Sequence, residues 1–421
     1  MRRALRTFGR SEPRGRRAAR PRVCIVRQLD HYELPIRREA EALAAAGFDV
    51  EVILMRRPGA PAREVIDGVE ITTVPLSLRK ATKLHYAFDY GRFFAVVAVT
   101  LAWRHLRRRY AVVQVNTMPD FLVLAPFVPK LLGARVVAYM HEPSPELAET
   151  LFGPGVVSRS LARIEQLVLR FADHAITVTE QLKQRYVERG ARADRITIVL
   201  NGADPDTRLR GWTRSPEARS EPKFTVICHG AIEDRYGQDT LLEAARILRD
   251  ELRDLEVVLV GRGKRADRIA RRIPTLELED VVRFEGWVTH ERLNDLLAAA
   301  DVGVVAQTAS PYSHLVHTNK MVDYWIFGLP VIASRLRAVS ELYDDSVLEF
   351  YEPGNANDLA RAIRRLHDEP RRCEELARNG RSAQEQYGWG VQQRTYVGVY
   401  DALLNRHGSP DAAGTAATGE R

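Results

Sequence analysis

Residues 317–334, HTNKMVDYWIFGLPVIAS, have the pattern of a short helix, a glycine stop and a buried strand. Within this stretch Asp323 stands among apolar neighbours, too far beyond the predicted cap at Thr318 or Asn319 to serve the start of the helix. Burying a carboxylate without a partner costs free energy. Asp323 therefore either has a structural cation as its partner or binds a ligand that offers hydroxyl donors.

The same alternation of Val- and Ile-rich runs with helical periods occurs in two blocks of the chain, and it is typical of parallel sheets covered by helices. The 421 residues, 45% of them hydrophobic, exceed the roughly 250 to 300 residues that one core supports. The predicted strands are 22–26, 49–55, 111–116, 134–140, 174–179 and 196–202, then 224–230, 256–261, 281–287, 301–306, 330–334 and 347–353. We predict an α/β protein with two Rossmann-like, doubly wound domains and a ligand cleft between them.

The predicted boundaries follow the loss of this periodicity in residues 203–222, where Pro, Arg and Asp concentrate. A second break lies near residues 387–390, where a last helix could cross back to the first domain. The predicted parts are a disordered Arg-rich arm (1–21), an N-terminal domain (22–202), a linker (203–222), a C-terminal domain (223–386), the crossing helix (387–406) and a disordered tail (407–421).

The formal charge of +8 and the pI near 9.5 arise at the start of the chain. Residues 1–22 contain nine Arg against Glu12 alone, so the rest of the chain is close to neutral. This arm is either a solvated extension or an electrostatic attachment to an anionic membrane face. Binding of nucleic acid through the arm is a remote alternative, which steep salt dependence would reveal.

The longest apolar run, FFAVVAVTLAW at 93–103, is too short to span a membrane and is followed by RHLRRRY. A core helix with a charged end is favoured over a basic interfacial helix. No signal-peptide pattern is present, and Cys24, Cys228 and Cys373 have no metal-binding spacing, which is typical of a reducing compartment. We predict a cytoplasmic protein, with peripheral attachment to the inner membrane face as an extension of that prediction.

The segment KMVDYWIFGLPVIAS resembles the K-x-x-[ED]-Y-x-x-x-G-x-P-V-I-A-S segment of retaining nucleotide-sugar glycosyltransferases, specifically glycosyltransferase family 4 with the GT-B fold. Supporting segments are CHGAIEDRYGQDTLLEA, VVLVGRGK, RFEGWVTHERLNDLLAAADVGVV, ITVTEQLKQRYVERGA with VLNGAD, and REAEALAAAGFDVEV. Each is weak alone, but their order and spacing over roughly residues 22–404 are specific. The resemblance implies two Rossmann-like domains that face each other across a cleft.

By this resemblance, Asp323 is the second acid of the family's E-x7-E motif and accepts hydrogen bonds from the ribose hydroxyls of the nucleotide. The alternative is an i,i+3 ion pair with Lys320. The position of the first acid is occupied by Leu315, so the motif does not identify the residue that grips the transferred sugar. Its role could pass to a neighbour in a loop that could equally be a surface turn; the neighbours are His314, His317 and Tyr312.

The same segment predicts a diphosphate site, because the backbone N–H groups of Thr318, Asn319 and Lys320 would open a helix and attract anions. Across the cleft Gly230 ends a strand and Arg235 follows, although a solvated Arg is the alternative.

The family's usual basic positions at this place hold Ala231 and Tyr236. We assign His317, Lys264 and Trp287 to donor binding as well. The G-x-G-x-x-A run around Lys264 also fits a nicotinamide enzyme, but that fingerprint belongs in the first strand–helix turn of its domain and here lies in the second.

On the acceptor side, His141 and Glu142 follow a predicted strand in the segment HEPSPEL, which resembles the family's H-[DE]-x-x-P-E-L. A polar turn before Pro143 is the alternative. The resemblance implies catalytic roles for His141 and Asp323, and we assign a third to Arg235, which would act from one residue away from the family's basic position.

The predicted reaction moves a sugar from a nucleotide diphosphate to an acceptor hydroxyl with retention of configuration. It requires no metal and no cofactor beyond the co-substrate. The acceptor would be lipid-linked or a saccharide, in cell-surface polysaccharide or glycolipid synthesis. An epimerase or hydrolase of the same fold is the nearer alternative, and an NAD-dependent oxidoreductase or a nucleic-acid-binding protein is more remote.

Overall fold

The computed structural model describes residues 20–29, 32, 34–57, 59–76, 83–213 and 223–405. The predicted Arg-rich arm, apart from its last two residues, and the predicted tail lie outside the described residues, as do residues 214–222 of the predicted linker.

The first sheet has eight strands within this described part of the chain, in the order β3-β4-β2-β1-β5-β6-β7-β8. They are β1 (Arg22–Val26), β2 (Asp49–Met55), β3 (Arg63–Ile66), β4 (Val69–Val74), β5 (Val112–Asn116), β6 (Arg135–Met140), β7 (His174–Thr177) and β8 (Ile196–Ile198). The paired neighbours are parallel apart from the antiparallel hairpin of β3 and β4.

The second sheet has six described strands, all paired in parallel, in the order β11-β10-β9-β12-β13-β14. They are β9 (Phe224–His229), β10 (Leu255–Val260), β11 (Val282–Gly286), β12 (Val302–Val305), β13 (Val331–Ser334) and β14 (Glu349–Tyr351). Helices cover both faces, so strands such as β12 and β13 are buried along their whole length and are continuously apolar. The prediction of two doubly wound α/β domains is confirmed.

The helices of the first half are α1 (Leu34–Ala45), α2 (Lys83–Arg107), α3 (Phe127–Leu131), α4 (Ser144–Phe152), α5 (Val156–Phe171), α6 (Glu180–Glu188) and α7 (Pro205–Arg208). Those of the second half are α8 (Gln238–Leu248), α9 (Ala266–Thr275), α10 (His290–Ala299), α11 (Lys320–Ile326), α12 (Arg337–Ser340), α13 (Ala356–Asp368), α14 (Pro370–Tyr387) and α15 (Trp389–Leu404). Short 3₁₀ helices occupy Asp120–Leu124, Ala193–Arg195 and Asp234–Tyr236. Side-chain caps begin several helices; for example, Thr179 Oγ1 accepts from Leu182 N–H at 3.1 Å at the start of α6.

Three local features differ from the sequence-based expectation. The hairpin of β3 and β4 was not predicted, and the strand expected at 196–202 ends at Ile198. The predicted linker contains α7, and its Trp212 donates from Nε1 to Asp295 at 2.9 Å. Residues 203–213, the described part of that segment, therefore pack against the second domain.

Arg22, counted with the basic arm in the charge analysis, is a structural residue. It begins β1, is 8% exposed, and donates to Glu51 at 2.8 Å and to Glu70 at 3.1 Å. Arg104 of α2 bonds the same fully buried Glu51. Neither Arg is available to an external anion, because removing one partner from such a buried cluster costs about 3–5 kcal/mol.

The last helix, α15, lies against the first domain, and its buried aromatic residues belong to that domain's core. Tyr396 donates its hydroxyl to Gln114 Oε1 at 2.9 Å, and Gln392 Oε1 accepts from the backbone N–H of Leu200 at 3.0 Å. A Cβ on Gly202 would lie 3.0 Å from the backbone nitrogen of Trp389. The two segments that connect the domains therefore touch each other at this point.

Candidate active site

The structural cation beside Asp323 is Arg208, which belongs to the segment that connects the two domains. Asp323 Oδ1 accepts from Arg208 Nε at 3.2 Å, and Asp323 Oδ2 lies 3.7 Å from His229 Nε2. Burial raises the pKa of Asp323, and the Arg208 guanidinium opposes that rise. The alternative of an ion pair with Lys320 is wrong, since the cation beside Asp323 is Arg208. The side chain is 18% exposed, so Oδ2 remains open to a further donor.

Lys320 directs its ammonium group towards the carboxyl end of β9. Its Nζ lies 3.9 Å from the centroid of the Tyr236 ring. A Cβ on Gly230 would lie 2.4 Å from Lys320 Cε, and the φ of Gly230 is 120°, so this position requires glycine on two grounds. Burial lowers the pKa of Lys320, because the charged form is partly removed from water.

Arg235 also lies close to the ring of Tyr236. Its guanidinium is 4.7 Å from the centroid of Tyr236 and 5.8 Å from that of Tyr312. Among the described residues, its Nε has no hydrogen-bond partner. Two cations close to one ring, one of them with a buried nitrogen that lacks a partner, form a site for an anion.

The loop before α11 contributes less than the sequence predicts. α11 begins at Lys320, and Asn319 precedes it in a helical conformation without a side-chain cap; Thr318 Oγ1 accepts from Lys320 N–H at 3.4 Å. His317 is 3% exposed, and its Nε2 is 3.2 Å from the hydroxyl of Tyr343. Burial lowers the pKa of His317 to about 4. The structure thus places this imidazole in the core of the second domain.

Two predicted donor residues are exposed at the same edge of the second sheet. Lys264 follows β10, and its backbone N–H donates to Glu233 at 3.3 Å. Trp287 follows β11 and is 63% exposed, with the Arg262 guanidinium 5.8 Å from its ring. In a parallel sheet these loops and Gly230 all lie at carboxyl ends, where ligands bind.

On the first domain, His141 follows β6 and stacks on Tyr139 at 4.0 Å between ring centroids. Asn116 Nδ2 lies 2.8 Å from Glu39 Oε2 and 3.2 Å from His141 Nε2. Because this amide nitrogen faces a carboxylate, we assign Nε2 of His141 as the acceptor. Burial lowers the pKa of His141 well below its usual value, so the ring is neutral at neutral pH.

The two domains meet at Glu142. Its Oε2 accepts from the hydroxyl of Tyr312 at 2.5 Å, a hydrogen bond that crosses the cleft. Burial raises the pKa of Glu142, while Tyr312 and Arg235 hold it down. The structure therefore brings Arg235, predicted on the donor side, close to Glu142, predicted on the acceptor side.

Leu315, which replaces the first acid of the family motif, is 8% exposed and packs with the core of the first domain. Its carbonyl accepts from Thr179 Oγ1 at 2.6 Å. Of the proposed substitutes, His314 accepts at Nδ1 from Arg337 N–H at 3.3 Å, and Tyr312 bonds Glu142. The position of the missing acid thus serves as a contact between the domains.

The sequence analysis missed Arg208 and His229. Arg208 lay in a segment interpreted as a linker, where no periodicity marks it. His229 directly precedes Gly230 at the end of β9, and that position was a usable signal. Burial, with Lys320 and Arg208 nearby, lowers the pKa of His229 to about 3.

Among the described residues, no group of three or more His, Cys, Asp or Glu side chains is arranged to hold a metal ion. The described helices include none that is both long and apolar enough to cross a bilayer.

The fold and this site define a two-domain protein of the GT-B class, with cations and a carboxylate at the carboxyl ends of the second sheet. Residues 36–207 match the family described as Glycosyltransferase Family 4, and residues 223–369 match Glycosyl transferases group 1. Both descriptions are of glycosyltransferases and the two matches cover both domains, so the chain belongs to the glycosyltransferases of the GT-B fold.

Curated relatives support this assignment. The chain is 27% identical to a phosphatidyl-myo-inositol mannosyltransferase of Propionibacterium freudenreichii, over 64% of this chain and 65% of that protein. It is 30% identical to the MMP alpha-(1->4)-mannosyltransferase of Mycolicibacterium hassiacum, over 40% and 41%. The chain thus spans less than two thirds of the length of these relatives. It is 23% identical to the alpha-D-kanosaminyltransferase of Streptomyces kanamyceticus, over 82% and 92%.

Solved structures share the fold. Sucrose-phosphate synthase from Thermosynechococcus elongatus superposes with a TM-score of 0.75 at 20% identity, covering 92% of this chain and 100% of that one. The Anabaena protein HepE, in complex with UDP, superposes with a TM-score of 0.67 at 19% identity, covering 91% and 100%.

Proposed function

We propose that the protein transfers a sugar from a nucleotide-diphosphate sugar to an acceptor hydroxyl, with retention of anomeric configuration. The observation that carries this proposal is the pair of cations, Lys320 and Arg235, on the ring of Tyr236. Lys320 lies where Gly230 leaves space at the end of β9, and Arg235 follows in the next loop. A diphosphate would supply the anion that this pair lacks, and the open oxygen of Asp323 would accept from the ribose hydroxyls.

In this reaction the bond from the anomeric carbon to the diphosphate oxygen breaks, and a bond to the acceptor oxygen forms on the same face. The acceptor's proton passes to the departing diphosphate. The protein's part is to position both substrates and to stabilise the charge on the leaving group, which Lys320 and Arg235 would do without a metal ion. His141 and Glu142, across the cleft, would contact the sugar and the acceptor.

For the acceptor we propose a lipid-linked or saccharide hydroxyl in cell-surface glycan synthesis. The support is indirect. One relative is named for phosphatidyl-myo-inositol, and a Rhizobium meliloti relative, 29% identical over 49% of this chain, is named a lipopolysaccharide core biosynthesis glycosyltransferase.

The test is a calorimetric panel of UDP-, GDP- and ADP-sugars, followed by product analysis with the sugar that binds. A ligand at 100 times its Kd should add about 2.7 kcal/mol of stability. Transfer requires a glycosylated product with the donor's anomeric configuration by NMR. A new nucleotide sugar formed without any acceptor would instead identify an epimerase, and free sugar alone a hydrolase.

We further propose that the first domain attaches reversibly to an anionic membrane at its cytoplasmic face. An apolar groove of 610 Å³ lies between α2, α3 and α5 and is lined by Val99, Phe127 and Leu167 among others. These three side chains are 70%, 54% and 53% exposed. The described side chains of α2 and α5 include five exposed Arg, at positions 92, 107, 159, 163 and 170. Exposed apolar side chains on helices that also carry exposed Arg suit the boundary between acyl chains and anionic headgroups, where each cation near the surface contributes about 1 kcal/mol.

Residues 93–103 were predicted to form a core helix, and only one face of this helix is in the core. Phe93, Val97 and Leu101 are buried, whereas Val99 and Trp103 are exposed. Sedimentation with phosphatidylglycerol vesicles tests the proposal. Val99→Asp with Phe127→Asp should leave the protein in the supernatant, whereas Val65→Asp, at an equally exposed position on β3, should not. If a chain starting at Pro21 fails to sediment while the full chain does, attachment belongs to the Arg-rich arm.

A further inference from the structure

A cluster of buried polar atoms without partners lies beside His141 in the first domain. Within the described residues, no hydrogen bond is formed by Nε and Nη2 of Arg38, Nη1 of Arg27, Oε1 of Glu39 or the hydroxyl of Tyr139, although the Arg38 guanidinium lies beside that hydroxyl and opposes the rise of the Tyr139 pKa that burial causes. Arg38 is 7% exposed, and Glu39 and Tyr139 are fully buried. Buried polar side-chain atoms in native proteins are nearly always satisfied, so a cluster of unpaired ones indicates a site for a ligand.

The fold holds these groups in place from several sides. Glu39 Oε2 accepts from Gln114 Nε2 and Asn116 Nδ2, each at 2.8 Å, which leaves Oε1 open and 4.0 Å from Nε2 of His141. Arg38 is the preceding residue of α1. Its guanidinium lies 4.5 Å from the ring centroid of Trp389, and its Nη1 donates to a backbone carbonyl, that of Gly202. One nitrogen and one face of this guanidinium are thus engaged, and the other two nitrogens are buried without a hydrogen-bond partner among the described residues.

The charges in this cluster do not balance. The charges of Arg27 and Arg38 lower the pKa of Glu39 and also that of His141. These four side chains are therefore close enough to interact electrostatically. His141 is neutral, and Glu39, whose pKa burial raises, supplies at most one negative charge against the two guanidinium groups. Arg27 also acts on Glu142, but that carboxyl already bonds Tyr312 and faces Arg235. A surplus positive charge that is buried in this way is stabilised by an external anion.

We propose that Arg27 and Arg38 form a binding site for an anionic group of the acceptor, a phosphate or a carboxylate, which places the acceptor hydroxyl beside His141. The planar fork of a guanidinium matches the oxygens of either group. The open Oε1 of Glu39 and the hydroxyl of Tyr139 would bind neighbouring hydroxyls of the same acceptor. This inference rests on the proposed transferase function, because it is that reaction which requires an acceptor at this place.

The site differs from the cations assigned to the donor. Arg235 and Lys320 belong to the second domain and share the ring of Tyr236, whereas Arg27 follows β1 and Arg38 lies on α1. Variants can therefore separate the two.

The experiment is a calorimetric titration of inorganic phosphate into the full chain saturated with whichever of UDP, GDP or ADP it binds. We expect Arg38→Gln and Arg27→Gln each to weaken phosphate binding by about tenfold, which corresponds to about 1.4 kcal/mol. The matched control is Arg37→Gln, because Arg37 is the neighbouring residue of α1 but pairs with Glu41 and Asp67 on the surface. That variant should bind phosphate as the parent does.

Unchanged phosphate binding in folded Arg27→Gln and Arg38→Gln proteins would overturn the proposal. So would loss of this binding in Arg235→Gln alone, since phosphate would then occupy the donor site. If Arg38→Gln does not fold, Arg27→Gln, at a more exposed position, still decides. The proposed function fails separately, through the absence of any nucleotide binding in the first titration.

Two further competition experiments identify the source of the anion. Competition by glucose 1-phosphate indicates a soluble acceptor. Competition by phosphatidylglycerol vesicles, and not by phosphatidylcholine vesicles, indicates a lipid headgroup. Either result supports an anion site at Arg27 and Arg38, provided that Arg27→Gln or Arg38→Gln weakens binding of that competitor as it weakens binding of phosphate.

Discussion

Arg208 and Asp323 are 115 residues apart in the chain, yet Arg208 Nε donates to Asp323 Oδ1 at 3.2 Å. Arg208 is the last residue of α7, in the segment that connects the two domains, and Asp323 lies on α11 of the second domain. The carboxylate assigned to the nucleotide is thus held by a cation from the connection. An ion pair of this kind opposes the rise in the pKa of Asp323 that burial causes, and it orients the other carboxylate oxygen.

We therefore expect Asp323→Asn to weaken binding of the nucleoside diphosphate by about tenfold, because a charge-assisted hydrogen bond is worth about 1.5–3 kcal/mol. Calorimetry with UDP, GDP and ADP measures it. Asp345→Asn, on the exposed surface, serves as the control. Arg208→Gln should weaken binding in the same direction, and the double variant should lose less than the sum. Unchanged affinity in Asp323→Asn would return this residue to a purely structural role.

Gly230→Ala should abolish nucleotide binding with a smaller effect on the fold. The new Cβ would lie 2.4 Å from Cε of Lys320 and displace its ammonium group. Gly354→Ala is the control, because Gly354 has a φ of 79° and open space around it, so it reports backbone strain alone. That strain costs about 1–2 kcal/mol. Equal losses of stability, with nucleotide affinity retained in both variants, would contradict the assigned position of Lys320.

The burial of His317 predicts a specific dependence on pH. Its pKa in the folded protein is about 4, whereas an unfolded His titrates near 6.5, so the unfolded chain binds more protons between these values. The stability that the neutral ring contributes is complete above pH 6.5 and is lost as the pH falls towards 4. Replacing His317 by Gln should therefore cost about 2 kcal/mol less at pH 5 than at pH 7.

Urea unfolding of the parent and of His317→Gln at both pH values provides the measurement. His290→Gln, at an exposed position on α10, gives the baseline for removing one imidazole. A cost for His317→Gln that does not change with pH would show that the ring is solvated.

Removal of divalent metals should leave turnover unchanged. We expect activity to persist in excess EDTA once a donor is identified, because Lys320 and Arg235 are fixed cations at the proposed diphosphate site. Lys320→Met should reduce kcat strongly under the same conditions. Loss of turnover that Mg²⁺ or Mn²⁺ restores would assign the charge stabilisation to a metal ion.

The fold was largely predictable from the sequence, because strands buried on both faces are continuously apolar and helices between them keep their period. The hairpin of β3 and β4 was not predicted, because β3 is not buried on both faces. In β3, Arg63–Ile66, exposed and half-buried residues alternate on a sheet edge, so no apolar run marks the strand. β3 pairs with β4, the next strand in the chain, and no sequence pattern indicates that pairing.

The position of residues was predictable where a local motif describes them, since Gly230, Lys320 and Asp323 do lie near the carboxyl end of β9, and their roles stay predictions. Partners that come from distant segments were not. Nothing in residues 203–213 indicates that Arg208 would reach Asp323, and nothing around Leu315 indicates that it would pack against the first domain. Such contacts are set by how two finished domains meet, a geometry that local periodicity does not encode.

The close approach of Gly202 to the backbone at residues 388 and 389 has a mechanical consequence. If the two segments that connect the domains were far apart, rotation of one domain against the other would have to stretch at least one of them. Here both pass through a single pivot, so twisting and opening about that point require little stretching of either connection. Motion that separates Tyr312 from Glu142 can therefore be large at the mouth of the cleft while the pivot itself hardly moves.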